Sequence, residues 1–276
     1  MALTDESLSG LGFAGDWHAN TRWAIHALRY AQELGITTLV HLGDFAYLFE
    51  HDYLDTLQAV CERAGITLLA VRGNHDSTEV IRALEPNDQG LLPLSENVAM
   101  LPDGHRFEHN GISLVALGGA GSIDRSRRTP GRSWWEDELL DPAVVDELKG
   151  TCDIVVSHDC PDQVDLPLNP GMGAFYESID PGVLSYCDSN RVVLGRAVDA
   201  LRPALVVHGH YHFTSSLMRP LPRRSEGGSG MGRVETLVEC LDMDGTELHL
   251  NVKTAREIVT RGQGATLVEG EPVRGQ

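Results

Sequence analysis

The stretch Leu205–Phe213 reads LVVHGHYHF and sets His208, His210 and His212 at every second position behind a short apolar run. In an extended backbone that spacing turns alternate side chains to one face. Three imidazoles leaving one side of a strand end ask for a metal or an anion, and Gly209 lets the backbone approach it. Four other apolar runs end in the same way. Gly15-Asp16-Trp17-His18 follows Leu11–Ala14, and Gly43-Asp44 follows Thr37–Leu42. Arg72-Gly73-Asn74-His75-Asp76 follows Ile66–Val71, and Ser157-His158-Asp159 follows Ile154–Val156.

Together these ends offer two or three carboxylates, one amide oxygen and four or five imidazoles, without a thiolate. A mixed nitrogen and oxygen set suits manganese, iron or zinc. Calcium prefers oxygen alone, and a closed zinc finger uses sulfur. The donors exceed what one ion takes. Two ions sharing a carboxylate use them economically, and ions about 3.5–4 Å apart are suited to in-line displacement at phosphorus.

The elements that must position these groups are legible as alternation. Leu11–Ala14, Thr37–Leu42, Ile66–Val71, Ile112–Leu117, Ile154–Val156 and Ala204–Val207 read as buried strands. Amphipathic helices are expected from Thr21 to Gly35, from Asp52 to Gly65, and from Ser189 to just before Pro203. Strand–helix alternation predicts an α/β core with parallel strands. Ligands of such sheets bind outside the carboxyl ends of the strands, so the five polar sets should meet on one rim.

Farther on, RVETLVECLD and TELHLNVKT alternate around Met243-Asp244-Gly245 and predict a hairpin of a second, more antiparallel sheet. Gly118–Ser133, Arg219–Gly232 and the stretch after Asp159 read as long irregular loops, functional or disordered. Ser133-Trp134-Trp135-Glu136 carries a capping box and predicts a helix start. Of its tryptophans we expect one packed and one partly exposed, with core packing favoured over stacking on a nucleobase. One domain over residues 1–260 and a frayed Gly-rich tail over 261–276 account for the chain.

The bulk properties exclude several classes. A net charge of −18 repels phosphate backbones and anionic membranes, which makes long nucleic acid a poor partner and a small phosphorylated molecule a better one. Five cysteines without a C-x-x-C pair argue against a disulfide framework or a thiolate zinc site, and for reduced thiols in the cytoplasm. The N-terminus does not read as a signal peptide, and no apolar run approaches the roughly 20 residues of a membrane span.

The series D-x-H, G-D, G-N-H-D, H and G-H-x-H, in this order from Asp16 to His212, resembles the calcineurin-like metallophosphoesterase superfamily. The resemblance implies a four-layer α/β/β/α sandwich of two mixed sheets and a metal-dependent phosphatase or phosphodiesterase. It implies that Asp16, His18 and His212 hold one divalent ion and Asn74, His158 and His210 the other, with Asp44 bridging them. Manganese is favoured over iron or zinc. A water or hydroxide between the ions, its pKa brought from 15.7 toward roughly neutral, would be the nucleophile. His75 would stabilise the transition state or protonate the leaving oxygen. The chain departs from the Ser/Thr protein phosphatases at Tyr47, where they carry a second aspartate, and at Asp76, where they carry glutamate. Asp76 is then the expected substitute for orienting His75.

Blander readings stand beside these. His208 and His41 read as satisfied, buried histidines or as donors behind the ligands. His26, His51, His105, His109 and His249 read as structural. Asp159 either hydrogen-bonds near the metals or starts a turn. Arg125 and Arg128 are the candidates in Gly118–Ser133 to clamp a phosphate, the alternative being a solvated surface loop. Pro222-Arg223-Arg224 reads as flexible surface. Rival functions are a phosphoprotein phosphatase, a nuclease, or a scaffold that has lost its chemistry. Filled ligand positions and His75 speak against the scaffold.

Overall fold

The computed structural model describes residues 3–222 and 234–265. Its elements are β1 (Leu11–Ala14), α1 (Thr21–Glu33), β2 (Thr38–His41), α2 (His51–Ala64), β3 (Thr67–Ala70), α3 (Thr78–Arg82), β4 (Leu92–Pro93), β5 (Val98–Met100), β6 (Arg106–His109) and β7 (Ile112–Leu117). They continue with α4 (Pro142–Glu147), β8 (Ile154–Ser157), α5 (Pro170–Ile179), α6 (Val183–Leu201), β9 (Leu205–His208), β10 (Ser215–Pro220), β11 (Glu235–Cys240), α7 (Leu248–Asn251), β12 (Val252–Thr254) and α8 (Ala255–Ala265).

Two six-stranded mixed sheets form, ordered β12-β1-β2-β3-β5-β4 and β10-β11-β9-β8-β7-β6. In each, four parallel strands are flanked by an antiparallel strand on either edge. The central strands are apolar at consecutive positions because both faces are covered. Val40, Val71, Leu114, Val156 and Val207 pack in the layer between the sheets. Their chain neighbours Leu39 and Ala70 turn the other way, into the layer that holds Leu28, Leu57 and Cys61 of α1 and α2. Val155 and Val206 turn outward onto α6 through Leu194 and Val198. The result is the four-layer α/β/β/α sandwich. One buried ion pair, Lys253 Nζ to Glu239 Oε1 at 2.6 Å, joins an edge region of one sheet to the other.

Local signals explain the helix ends. Asn20 caps α1 by accepting from Trp23 N. Gly65 closes α2 in the left-handed region at φ 68°. The third expected helix begins earlier than Ser189, at Val183, behind Gly182.

Five expectations are corrected. The Asp244-Gly245 hairpin does not form. Both sides of β11 are taken, by β9 and β10, and Leu248–Asn251 is helical. Val252–Thr254 crosses to pair with β1 in the other sheet. The Ser133 capping box does not start a helix. Ser133 Oγ accepts instead from Thr129 N at 3.0 Å, closing the preceding turn, and the next helix begins behind Asp141. Trp135 is nonetheless packed and Trp134 partly exposed. The stretch after Asp159 holds α5, capped by Asn169 with Pro170 in its first turn. Arg219 lies in β10, its guanidinium buried against Asp162 and Asp199. Of the expected tail, residues 261–265 continue α8. Its remainder and Arg223-Arg224 lie outside the described residues.

Candidate metal centre

Five strand ends deliver the polar sets to one rim. β1 leads into Asp16 and His18, β2 into Asp44, and β3 into Asn74 and His75, all from the first sheet. From the second, β8 leads into His158 and β9 into His210 and His212. His18, Asp44, His210 and His212 have φ of 47°, 53°, 69° and 55°. Such left-handed residues cost of order 1–3 kcal/mol each and persist where surroundings over-determine them. Here the loops hold one another. His18 N donates to Asp44 O at 2.8 Å, and His75 N donates to Asp44 Oδ1 at 2.8 Å. His210 N reaches both Asp16 carboxylate oxygens at 3.2 and 3.1 Å. Gly209 is required by this closeness, since a Cβ there would stand 2.1 Å from Asp16 Oδ1.

The donor atoms converge. Those of Asp16, His18 and His212 lie within 4.8 Å of one another, as do those of Asp44, His158 and His210, and those of His18, Asp44 and His75. Asp44 Oδ2 is 3.7 Å from His18 Nε2, and its Oδ1 is 3.4 Å from His158 Nε2. Asp16 Oδ2 is 3.3 Å from His212 Nε2. Asn74 Oδ1 joins the second group at 2.9 Å from His158 Nε2. All seven expected ligands are therefore brought together, and Asp44 stands between the two sets.

Charge explains what the cluster wants. Asp16 and Asp44 are almost fully buried side by side. Burial works to raise both carboxyls, yet the surrounding histidines hold Asp16 below and Asp44 well below the usual range. In return, against burial, the carboxylates lift His158 to about 10 and His18 to about 9. His210, desolvated and beside His158, is pushed down to about 3. Two buried carboxylates faced by imidazole nitrogens fit divalent cations, which take the place of those protons.

A further ring of groups fixes the donors. His158 Nδ1 lies 2.8 Å from Leu42 O. Donating there leaves Nε2 to face Asp44 and Asn74, where its lone pair would be open to an ion once the proton is displaced. His18 Nδ1 lies 2.9 Å from Asp244 Oδ1, and Asn20 Nδ2 donates to Asp244 Oδ2 at 2.6 Å. Asn74 Nδ2 donates to Ser122 Oγ at 2.9 Å, and that hydroxyl donates to Glu138 Oε2 at 2.6 Å. Asp159 accepts from Tyr211 Oη at 2.7 Å and Asn190 Nδ2 at 2.8 Å, anchoring the turn that carries His210 and His212. Asp159 thus hydrogen-bonds beside the centre. Asp244, Ser122 and Glu138 escape a reading of the sequence. The Asp-Gly turn signal hides Asp244, and nothing local marks the other two.

The model of the family described as calcineurin-like phosphoesterase matches residues 11–213. The chain belongs to this family. Among solved structures it is similar to TT1561 of Thermus thermophilus, at 10% identity and TM-score 0.45, covering 84% of this chain and 88% of that one. It is similar to a dimetal phosphatase from Danio rerio, at 12% identity and TM-score 0.44, covering 87% and 90%. It is similar also to purple acid phosphatase PPD1 of yellow lupin (Lupinus luteus), at 11% identity and TM-score 0.42, covering 83% and 43%. A comparison with curated proteins finds no match.

In this calcineurin-like phosphoesterase His75 faces the centre, its Nε2 3.7 Å from Asp44 Oδ2. Asp76 is not its orienting partner. The Asp76 carboxylate is fully buried and accepts from Gly73 N at 2.9 Å, Ala46 N at 2.8 Å and Phe45 N at 2.9 Å. It ties the loop after β3 to the loop after β2. The His75 ring is instead flanked by Tyr47, edge-on at 5.3 Å between centroids, and by the Arg128 guanidinium. Arg125 is drawn away to Asp180 and lies over the Tyr186 ring. His208 and His41 are buried as expected but not satisfied, each leaving Nε2 without a hydrogen-bond partner. Burial pushes them down to about 4 and about 3, so both rings are neutral.

Proposed function

We propose that this chain is a dinuclear-metal-dependent hydrolase of phosphate esters, acting on a small phosphorylated molecule or nucleotide. The observation that carries the reading is the convergence of Asp16, His18 and His212 with Asp44, Asn74, His158 and His210 at one rim. The donor set, rich in imidazole and carboxylate and free of sulfur, supports manganese, iron or zinc, with manganese favoured. Two such ions supply Lewis-acid stabilisation of the charge that develops on phosphorus oxygens, and a water acidic enough to attack near neutral pH.

The chain's own residues do the rest. Asp44 faces both donor groups and keeps them in register. His75 lies within reach of the same space and serves the leaving oxygen, by hydrogen bond or proton transfer. The net charge of −18 supports a small substrate over a long nucleic acid. Among the described residues no helix is long and apolar enough to cross a membrane. The free thiols of all five cysteines, four of them buried, support a cytoplasmic setting.

Metal analysis paired with hydrolysis tests the proposal. The expected result is nearly two metals per chain, and manganese-stimulated turnover of p-nitrophenyl phosphate or bis-p-nitrophenyl phosphate that vanishes in Asp44→Asn. Absence of both metal and turnover, after manganese, iron and zinc have each been supplied, would favour the scaffold.

A further inference from the structure

The loop between β7 and α4 carries Arg125, Arg127, Arg128 and Arg132, and of these four Arg128 is the one placed at hydrogen-bond distance from the His75 ring. Its Nη1 stands 2.7 Å from His75 Nδ1 and its Nη2 2.8 Å from His75 Nε2. A neutral imidazole offers one acceptor lone pair, so both contacts cannot be satisfied hydrogen bonds. The two-nitrogen edge of the guanidinium therefore meets a ring that under-uses it. Among the described residues no carboxylate bonds to that edge. The guanidinium is anchored as well, Nε donating to Asp124 Oδ1 at 2.5 Å and Nη1 also to Ser133 O at 3.3 Å. Only 14% of the Arg128 side chain is exposed.

The loop itself is pinned. Arg125 Nε donates to Asp180 Oδ2 at 2.8 Å and its guanidinium carbon lies 4.1 Å from the Tyr186 ring centre. Arg128 is thus a cation pre-set beside His75, with more donor hydrogens on its fork than the imidazole can accept. Guanidinium forks match phosphoryl oxygens in pairs. A phosphomonoester carries roughly −1.5 to −2 charges near neutral pH and three acceptor oxygens. A diester carries less charge, and one of those oxygens is esterified.

The geometry points to Arg128 as the residue that takes phosphoryl oxygens of the substrate beside His75, and so selects phosphomonoesters over diesters. Asp124 holds the guanidinium for that task, and Arg125 fixes the loop without touching substrate. This inference rests on the phosphoesterase reading and names its substrate class.

The test compares wild type, R128Q and R128K, each loaded with manganese, on p-nitrophenyl phosphate and bis-p-nitrophenyl phosphate. Binding of inorganic phosphate is measured by calorimetry and metal content is counted. Removing one charged donor pair is expected to lower kcat/KM for the monoester roughly 10²-fold. The diester should change by less than about threefold, an interaction it scarcely makes. Phosphate binding should weaken about tenfold or more in R128Q, with metal content unchanged. R128K should recover part of the monoester rate, lacking the planar fork, and it supplies the same split if R128Q does not fold. Equal losses on both esters, or unaltered phosphate binding, would overturn the inference. A wild type that turns over neither ester yet binds phosphate through Arg128 would sink the phosphoesterase reading and leave the anion site standing.

Discussion

Asp244 Oδ1 lies 2.9 Å from His18 Nδ1, on the segment between β11 and α7. The backbone of the same residue donates to Asp16 O at 2.7 Å. One residue thus sets both donors that follow β1. A carboxylate behind a metal-binding imidazole fixes its tautomer and raises its basicity, and losing it costs about 10–100-fold in metal affinity. Asp244→Ala should show that loss in a manganese titration, with secondary structure unchanged by circular dichroism. Undiminished affinity would mean that the His18 ring is held by its packing alone.

His75 should separate chemistry from metal binding. His75→Ala is expected to keep its metals and lose about 10²–10⁴ in rate, the range of a general acid or base. A variant that loses metal along with activity would make His75 a ligand, as its place in the group with His18 and Asp44 would allow.

Asp76 should behave as a structural residue. Its removal leaves three buried backbone donors, on Gly73, Phe45 and Ala46, without their acceptor. Unsatisfied buried donors cost about 1–3 kcal/mol each, with partial relaxation expected. Asp76→Ala should lose about 2–4 kcal/mol in urea unfolding. A variant of wild-type stability that lacked only turnover would restore Asp76 to the catalytic group.

Glu138 gives a pH test at a residue that is not itself an expected ligand. Burial, opposed by hydrogen bonds from Ser122 and Tyr186, raises its carboxyl above the ordinary value of 4.5. A raised folded pKa contributes stability that is full below the unfolded value and is lost as pH rises through the folded one. Measured against Glu138→Gln, wild type should therefore be favoured most at pH 4 and lose ground toward pH 7. The loss amounts to about 1.4 kcal/mol for each whole number by which the folded pKa exceeds the unfolded one. Urea unfolding across that range reads it, and a difference that grows with pH would reverse the sign.

Much of this was legible in the sequence because it is local. Leu39 and Val40, or Val155 and Val156, declare buried strands by being apolar on both faces. Asp16, Asp44 and His158 declare the rim by following such strands directly. What escaped is what tertiary contact decides. Asp244-Gly245 has the composition of a hairpin, and the turn is drawn instead to His18 and Asn20. Ser133 has the spacing of a helix cap but spends its hydroxyl on Thr129. Ser122 and Glu138 are ordinary residues on an irregular segment, made relevant by a hydrogen bond to Asn74 from 48 positions away. Arg125 and Arg128 are equivalent in the sequence, and only the position of Asp180 tells them apart.

The ligands after β1, β2 and β3 belong to one sheet and those after β8 and β9 to the other. An ion held by donors from both would therefore act as a clasp across the seam of the sandwich as well as a reagent. Its binding energy is drawn on by the apolar interface beneath it. At a free ion concentration 100 times its dissociation constant, one such ion adds about 2.7 kcal/mol to the folded state. Ion supply would then tune how firmly the two halves of the sandwich hold together, and amide exchange along β1, β2, β8 and β9 would gauge it.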